Sequence, residues 1–88
     1  MKSSKHTASM RHRTIQDIVE LGAFLRDTRK DAGLTQNEAA GLLNVGRRFL
    51  IELEQGKPTA SLGKTLQVLR GYGLDIIVAR RGGSRFLP

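Results

Sequence analysis

The stretch that decides the fold is LTQNEAAGLLNVGRRFLIELEQG, residues 34–56. A capping box, T-x-x-E, opens a first helix at Thr35. Asn44 tolerates the left-handed conformation that ends a helix sharply. Gly46 can then cap a second helix over residues 47–55. The pattern therefore predicts two short helices joined by a tight turn, which is a helix-turn-helix.

The two helices separate apolar from polar residues. The predicted inner face of the first helix consists of Ala39, Ala40, Leu42 and Leu43. In the second helix Leu50 and Leu53 face inward, and the residues that point away are Arg47, Arg48 and Glu52. A second helix that exposes polar side chains near its N terminus is typical of proteins that read DNA.

Further helices flank this motif. The spacing of Ile18, Leu21, Leu25 and Thr28 predicts a helix from Thr14 to Ala32, which Gly33 ends. After a loop at residues 56–59, Ser61 can cap another helix, whose apolar face is predicted to hold Leu62, Leu66, Val68 and Leu69. Residues 71–73, Gly-Tyr-Gly, end that helix.

The segment LDIIVARR, residues 74–81, has a different pattern. Three consecutive β-branched residues favour a strand, yet the sequence contains no second strand to pair with it. A lone strand leaves its backbone groups unpaired, so we expect pairing with the same strand of another copy. The predicted dimerisation residues are Leu74, Ile76, Ile77 and Val78.

The 88 residues allow one small domain with a formal net charge of +7 and a pI near 10.9, which favours a polyanionic partner. The excess charge sits at the ends. Residues 1–13 contain four basic residues and no acid, residues 79–88 contain three, and residues 14–78 are balanced. The predicted organisation is a basic, disordered tail over 1–13, a helix-turn-helix domain over 14–73, a dimerisation strand over 74–81 and a flexible tail over 82–88.

Two interpretations of each tail stay open. The N-terminal tail is either a solubilising segment or a stretch that precedes the true start at Met10, or it is a basic arm that contacts DNA. The C-terminal end, with its apolar pair at residues 86–87, is either a frayed end or a docking peptide.

Several classes of function find no support in the sequence. It has no cysteine, no nucleophile–base–acid set, no phosphate-binding Gly-x-x-x-x-Gly-Lys and no metal-ligand cluster. No apolar run approaches the roughly 20 residues that a membrane span requires. We therefore expect a protein that is not an enzyme, binds no cofactor or metal, and resides in the bacterial cytoplasm, associated with the nucleoid when bound to DNA.

At this point the residues match a known family. The domain resembles the Xre/Cro-type, lambda-repressor-like helix-turn-helix through the motif Gly33-Leu34-Thr35-Gln36-x-Glu38-x-Ala40, then Val45, then Leu53-Glu54-x-Gly56-Lys57-Pro58-Thr59. More closely, VGRRFLIELEQGKPTASLGKTLQVLRGYGLDI is similar to the HipB-type antitoxins. The match covers residues 21–78. It implies a mainly α fold of four to five helices, with one C-terminal β-strand that pairs across a homodimer.

The resemblance also implies roles for single residues. The implied DNA-binding residues are Gln36, Gly46, Arg47, Arg48, Glu52 and Lys57. Among them the two arginines would read guanine, whereas Gln36, Gly46 and Lys57 would meet phosphates. For Glu52 two interpretations stay open: it accepts from cytosine, or it pairs with Arg48 at i,i+4. A structural ion pair would join Arg29 and Glu54.

The implied function is a transcriptional repressor that acts as the antitoxin of a type II toxin–antitoxin module. It would bind a palindromic operator in double-stranded DNA, restrain a HipA-type kinase toxin and repress its own operon. The alternative is a stand-alone Xre-family regulator without a toxin partner.

Overall fold

The computed structural model describes residues 13–80, and most of both predicted tails lies outside that range. The described part is mainly α, as predicted, with four helices: α1 (Ile18–Asp31), α2 (Gln36–Leu43), α3 (Arg47–Glu54) and α4 (Leu62–Gly71). Helix α3 packs against both α1 and α2, and α4 packs against α2. None of the helices in residues 13–80 is long and apolar enough to cross a membrane.

Helix α1 begins at Ile18, four residues later than the predicted start at Thr14. The reason is the N-cap Asp17, whose carboxylate accepts a hydrogen bond of 2.9 Å from the backbone N–H of Glu20. A side chain that captures this free N–H favours a helix start at the next residue. Gly33 follows the helix at φ +75°, so the predicted stop is confirmed.

The predicted start and end of α2 are confirmed. Thr35 accepts a hydrogen bond from the N–H of Glu38, and the Glu38 carboxylate accepts one from the N–H of Thr35, which completes the capping box. Asn44 adopts the left-handed conformation at φ 58°. The chain then turns through Val45, which packs against the core, and enters α3 at Gly46.

The core lies between the four helices and consists of Leu25, Ala39, Ala40, Leu43, Leu50, Leu53, Val68 and Leu69. Three predicted inner-face residues are absent from it: Leu42, which is 73% exposed, Leu62, which is 67% exposed, and Leu66, which is half-buried. The predicted inner-face positions of Leu42 and Leu62 are therefore wrong. On α4 the buried face runs through Thr65, which takes a core position because its hydroxyl donates a 2.7 Å hydrogen bond to the Ser61 carbonyl.

Helices α1 and α3 meet backbone to backbone at Gly22. A Cβ atom on Gly22 would lie 2.8 Å from the carbonyl oxygen of Glu54, and it would also overlap the carbonyl oxygen of Leu53. The absence of a side chain therefore allows α1 to approach the C-terminal end of α3. This contact sets how α3 sits on the domain.

Residues 74–80 follow α4 without regular secondary structure. The first of them, Leu74, packs against the core, but Ile76, Ile77 and Val78 are exposed. Because one chain offers no second strand, the ladder expected over residues 74–81 has no partner within the described residues. The dimerisation strand stays a prediction.

Candidate nucleic-acid interface

Helix α3 has one face held by the domain and one face free. Its buried residues are Leu50, Leu53 and Glu54, whereas Arg47 and Arg48 are exposed at its first turn. This division follows from the spacing of the apolar residues in RRFLIELE. Helix α3 therefore packs on the domain through its buried face, and its N-terminal turn presents two guanidinium groups to the solvent.

The N terminus of α3 also presents backbone donors. Gly46 is the N-cap and, having no side chain, makes no capping hydrogen bond. The first N–H groups of a helix have no partner inside the helix, and the helix dipole favours an anion there. Together with the adjacent guanidinium groups, this turn can bind a phosphate or the acceptor edge of a base.

Arg29 and Glu54 join α1 to the end of α3. The Arg29 Nε atom lies 2.7 Å from Glu54 Oε2, and Nη2 lies 3.0 Å from Oε1. Arg29 Nη1 also donates to the Leu34 carbonyl at 2.9 Å. The hydrogen bond to Glu54 raises the pKa of the Arg29 guanidinium further, and burial opposes that shift. Both residues are buried, so this pair is structural.

Gln36, the first residue of α2, is linked to the same carboxylate. Its Nε2 atom donates a 3.1 Å hydrogen bond to Glu54 Oε1. The amide nitrogen carries two hydrogens, so one remains for a second acceptor. Gln36 is half-buried. Gln36 thus links the start of α2 to the buried Arg29–Glu54 ion pair, which joins α1 to α3.

Glu52 lies between two cations on the same side of the domain. Its Oε2 atom is 3.4 Å from Arg48 Nε and 3.3 Å from Lys57 Nζ. The hydrogen bond from Lys57 is the main cause that holds the pKa of Glu52 below its ordinary value, and Arg48 adds to it. Of the two open interpretations for Glu52, the intrahelical pair with Arg48 is present, together with a second partner in Lys57.

The predicted dimerisation residues line an open groove of about 920 Å³. Besides Ile76, Ile77 and Val78, its lining includes Arg13 and Ile15 from the segment before α1. The guanidinium of Arg13 lies over the ring of Phe24, 5.1 Å from its centroid. Leu21 and Leu69 also line the groove, and they connect it to the core.

The sequence patterns did not predict several contacts that hold the helices together. The Gln67 side chain donates to the carbonyls of Leu43 and Asn44, at 2.9 and 2.8 Å, and so caps the end of α2 from α4. Lys64 lies over the Phe49 ring of α3 at 5.7 Å. These contacts join residues far apart in sequence, so local patterns give no signal for them. The close approach of α1 to α3 at Gly22 also joins residues far apart in sequence, so local patterns could not predict it.

The comparisons with known proteins agree with this geometry. The helix-turn-helix domain family matches residues 20–81. An uncharacterized HTH-type transcriptional regulator of Sinorhizobium fredii, y4mF, is 45% identical over 71 residues, which cover 81% of this chain and 93% of the relative. Another, from Methanothermobacter thermautotrophicus, is 33% identical over 66 residues, 70% of this chain and 96% of that protein. The chain belongs to the Xre-like helix-turn-helix family of DNA-binding transcriptional regulators.

Solved structures of HipB have the same fold. The HipB–O4 20mer complex superposes with a TM-score of 0.70 at 17% identity, covering 78% of this chain and 97% of that chain. The HipA–HipB–O2–O3 complex gives the same values. At this identity the likeness concerns the fold. The resemblance to HipB-type antitoxins that the sequence indicated is confirmed at that level.

Proposed function

We propose that this regulator is a dimeric repressor that binds a palindromic operator and acts as the antitoxin of a HipA-type kinase toxin. The observation that carries the DNA-binding part is the exposure of Arg47 and Arg48 on a helix whose opposite face is fixed by buried contacts. A rigid helix with a free, basic first turn suits insertion into the major groove.

The two arginines are the proposed base readers. A guanidinium at the start of α3 can donate two hydrogen bonds to O6 and N7 of guanine. Gln36, Gly46 and Lys57 are proposed to contact phosphates: Gln36 through its second amide hydrogen, Gly46 through its backbone and Lys57 through its ammonium. These contacts fix the position of α3 on the duplex without reading its sequence.

Dimerisation is proposed to use residues 74–81. The exposed side chains of Ile76, Ile77 and Val78 support it, because three consecutive apolar residues in water cost free energy that burial against a second copy recovers. An extended segment also has free backbone groups that can form a ladder. Twofold pairing would place two α3 helices on two half-sites.

The toxin-binding part rests on the fold. HipB occurs with HipA in one solved complex, and this chain covers nearly the whole HipB chain at a TM-score of 0.70. Fold likeness does not by itself carry a partner from one protein to another. The alternative is a stand-alone regulator without a toxin partner. Whether the neighbouring gene encodes a HipA-type kinase distinguishes the two functions.

DNA binding is tested by selecting duplexes from a random pool with the full-length protein. We expect enriched sequences with inverted half-sites spaced about one helical turn apart. Arg47→Ala is the variant for comparison, because it removes one exposed guanidinium and leaves the buried contacts of α3 unchanged. Enrichment of single, unrepeated sites would contradict the dimer, and no enrichment would contradict the operator.

The antitoxin role needs a separate experiment. Co-expression with the kinase encoded beside it, if there is one, should relieve growth arrest, and the two proteins should co-purify. The double variant Arg47→Ala/Arg48→Ala serves as the control, since it should lose operator binding and keep toxin binding if the two surfaces are distinct. A neighbouring kinase that neither binds nor is restrained would favour the stand-alone regulator.

A further inference from the structure

The DNA-facing side of the domain carries a carboxylate that is shared by two cations. Arg48 and Lys57 both contact the same oxygen of Glu52, at 3.4 and 3.3 Å. Lys57 comes from the loop after α3, so the contact joins the reading helix to that loop. We call Arg48, Glu52 and Lys57 the Glu52 cluster.

We propose that Glu52 is a specificity-determining residue, which withholds Arg48 and Lys57 from phosphates of non-operator DNA. This inference rests on the proposed operator binding and adds a restraint to it. The restraint is electrostatic: if either cation moves to a phosphate, the carboxylate is left beside a polyanion with only one of its two partners. Non-specific contacts through this cluster are therefore weakened.

The same restraint is compatible with base reading. Glu52 contacts the Nε atom of Arg48, and the two terminal nitrogens of the guanidinium stay available as donors. A fork held at Nε can still donate to O6 and N7 of guanine. Arg48 can thus keep its ion pair when it meets a guanine in the operator.

The exposure of the cluster fits a contact that opens easily. The Arg48 side chain is 92% exposed and that of Lys57 is 49% exposed, whereas the Glu52 side chain is 29% exposed. Exposed ion pairs contribute little to folding, so neutralising Glu52 should leave the domain folded. The charge balance of residues 14–78 also supports the proposal. This part of the chain carries no excess positive charge that would bind DNA of any sequence.

The test compares wild-type full-length protein with Glu52→Gln on two duplexes, the selected operator and a scrambled duplex of equal length and composition. We expect Glu52→Gln to bind the scrambled duplex roughly three- to tenfold more tightly at low salt, with a salt dependence steeper by about 0.9 for each added phosphate contact. Operator affinity should rise less, so the preference for the operator falls.

The matched control is Asp27→Asn, which removes the same charge from an exposed position on α1. Equal effects of the two variants would overturn the proposal, because net charge alone would then explain them. Glu52→Asp, which keeps the charge, should retain most of the wild-type preference. Thermal unfolding of each variant verifies that it is folded.

The remaining outcomes also decide. If Glu52→Gln loses operator affinity and leaves the scrambled duplex unchanged, Glu52 is an acceptor that reads cytosine, and our proposal is wrong. If the wild-type protein shows no preference for any selected duplex, the operator proposal fails first, and the Glu52 proposal fails with it. A preserved operator preference in Glu52→Gln overturns the Glu52 proposal alone.

Discussion

Arg29 and Glu54 face each other across the contact between α1 and α3, joined by two hydrogen bonds of 2.7 and 3.0 Å. Only 9% of the Arg29 side chain and 3% of the Glu54 side chain are exposed. A buried ion pair contributes modestly compared with apolar residues, but the loss of one partner leaves a buried charge without compensation. The pair therefore makes the position of α3 sensitive to changes on α1.

Single substitutions of this pair should be costly, and the double substitution should be less so. Arg29→Met or Glu54→Gln should each lower the free energy of unfolding by about 3–5 kcal/mol, because each leaves one partner uncompensated. Denaturant unfolding of both single variants and the double variant measures this. Additive losses in the double variant would mean that the two residues act independently.

Two glycines should respond to alanine with opposite signs. Gly22→Ala should destabilise the domain by about 1–3 kcal/mol, since its Cβ meets backbone carbonyls of α3. Gly41→Ala, on α2, meets nothing within 4 Å and should stabilise by about 0.5–1 kcal/mol through helix propensity. Thermal melts of the two variants compare them directly. A stabilised Gly22→Ala protein would show that α1 and α3 are farther apart than described.

Tyr72 should make stability depend on alkaline pH. Its hydroxyl is buried and has no hydrogen-bond partner among the described residues, and this burial, with Glu54 adding, raises its pKa above the ordinary 10.0. The folded state favours the protonated phenol, so this contribution is complete below pH 10 and is lost as the pH rises through the folded pKa.

Tyr72 is the only tyrosine and the chain has no tryptophan, so ultraviolet absorbance of tyrosinate follows this one group. We expect a late titration in the folded protein and an ordinary one in denaturant. Tyr72→Phe should be stable at neutral pH and should lose the alkaline dependence. Equal titration in both states would contradict the burial of the hydroxyl.

The proposed base readers, Arg47 and Arg48, and the proposed phosphate contact, Lys57, should give different binding defects. Arg47→Ala or Arg48→Ala should weaken operator binding by about 1–3 kcal/mol and relax the preference at one position. Lys57→Ala should weaken operator binding and reduce its salt dependence without changing which bases are preferred. Gel shifts over a range of salt concentrations measure both effects. If both arginine variants bind normally, α3 does not enter the groove as proposed.

Disruption of the C-terminal segment should shift the protein toward monomer. Ile77→Pro removes a backbone donor, and truncation before Leu74 removes the proposed strand altogether. Operator affinity should then fall steeply, because two half-sites are no longer bound by one linked pair of domains. Sedimentation gives the oligomeric state, with Val19→Ala, another exposed apolar residue, as control. An unchanged dimer would assign the interface to the helices.

The sequence predicted the features that local rules control. The capping box at Thr35, the left-handed Asn44 and the stop at Gly33 each depend on a few neighbouring residues, and each is confirmed. The predicted start of α1 at Thr14 is too early, because the N-cap at Asp17 and not the apolar spacing sets where the helix begins. Helix boundaries are therefore predicted better from capping residues than from the spacing of apolar residues.

Features that depend on tertiary contacts were not predictable in the same way. Leu42 and Leu62 have the residue type of a core position but lie on the outer side of their helices, whereas Thr65 takes a buried position because Ser61 accepts its hydrogen bond. The second partner of Glu52, Lys57, comes from beyond the helix end, so helical spacing could not indicate it.

The division of α3 into an anchored and a free face has a consequence for how this regulator can change its target. The residues that hold α3, among them Leu50, Leu53 and Glu54, are separate from Arg47 and Arg48. With base reading by the two arginines as proposed, substitutions there should alter which bases are recognised while the packing beneath them stays the same. On this proposal, variants that bind new operators should be obtainable by substitutions at the exposed face of α3, without changes to the core.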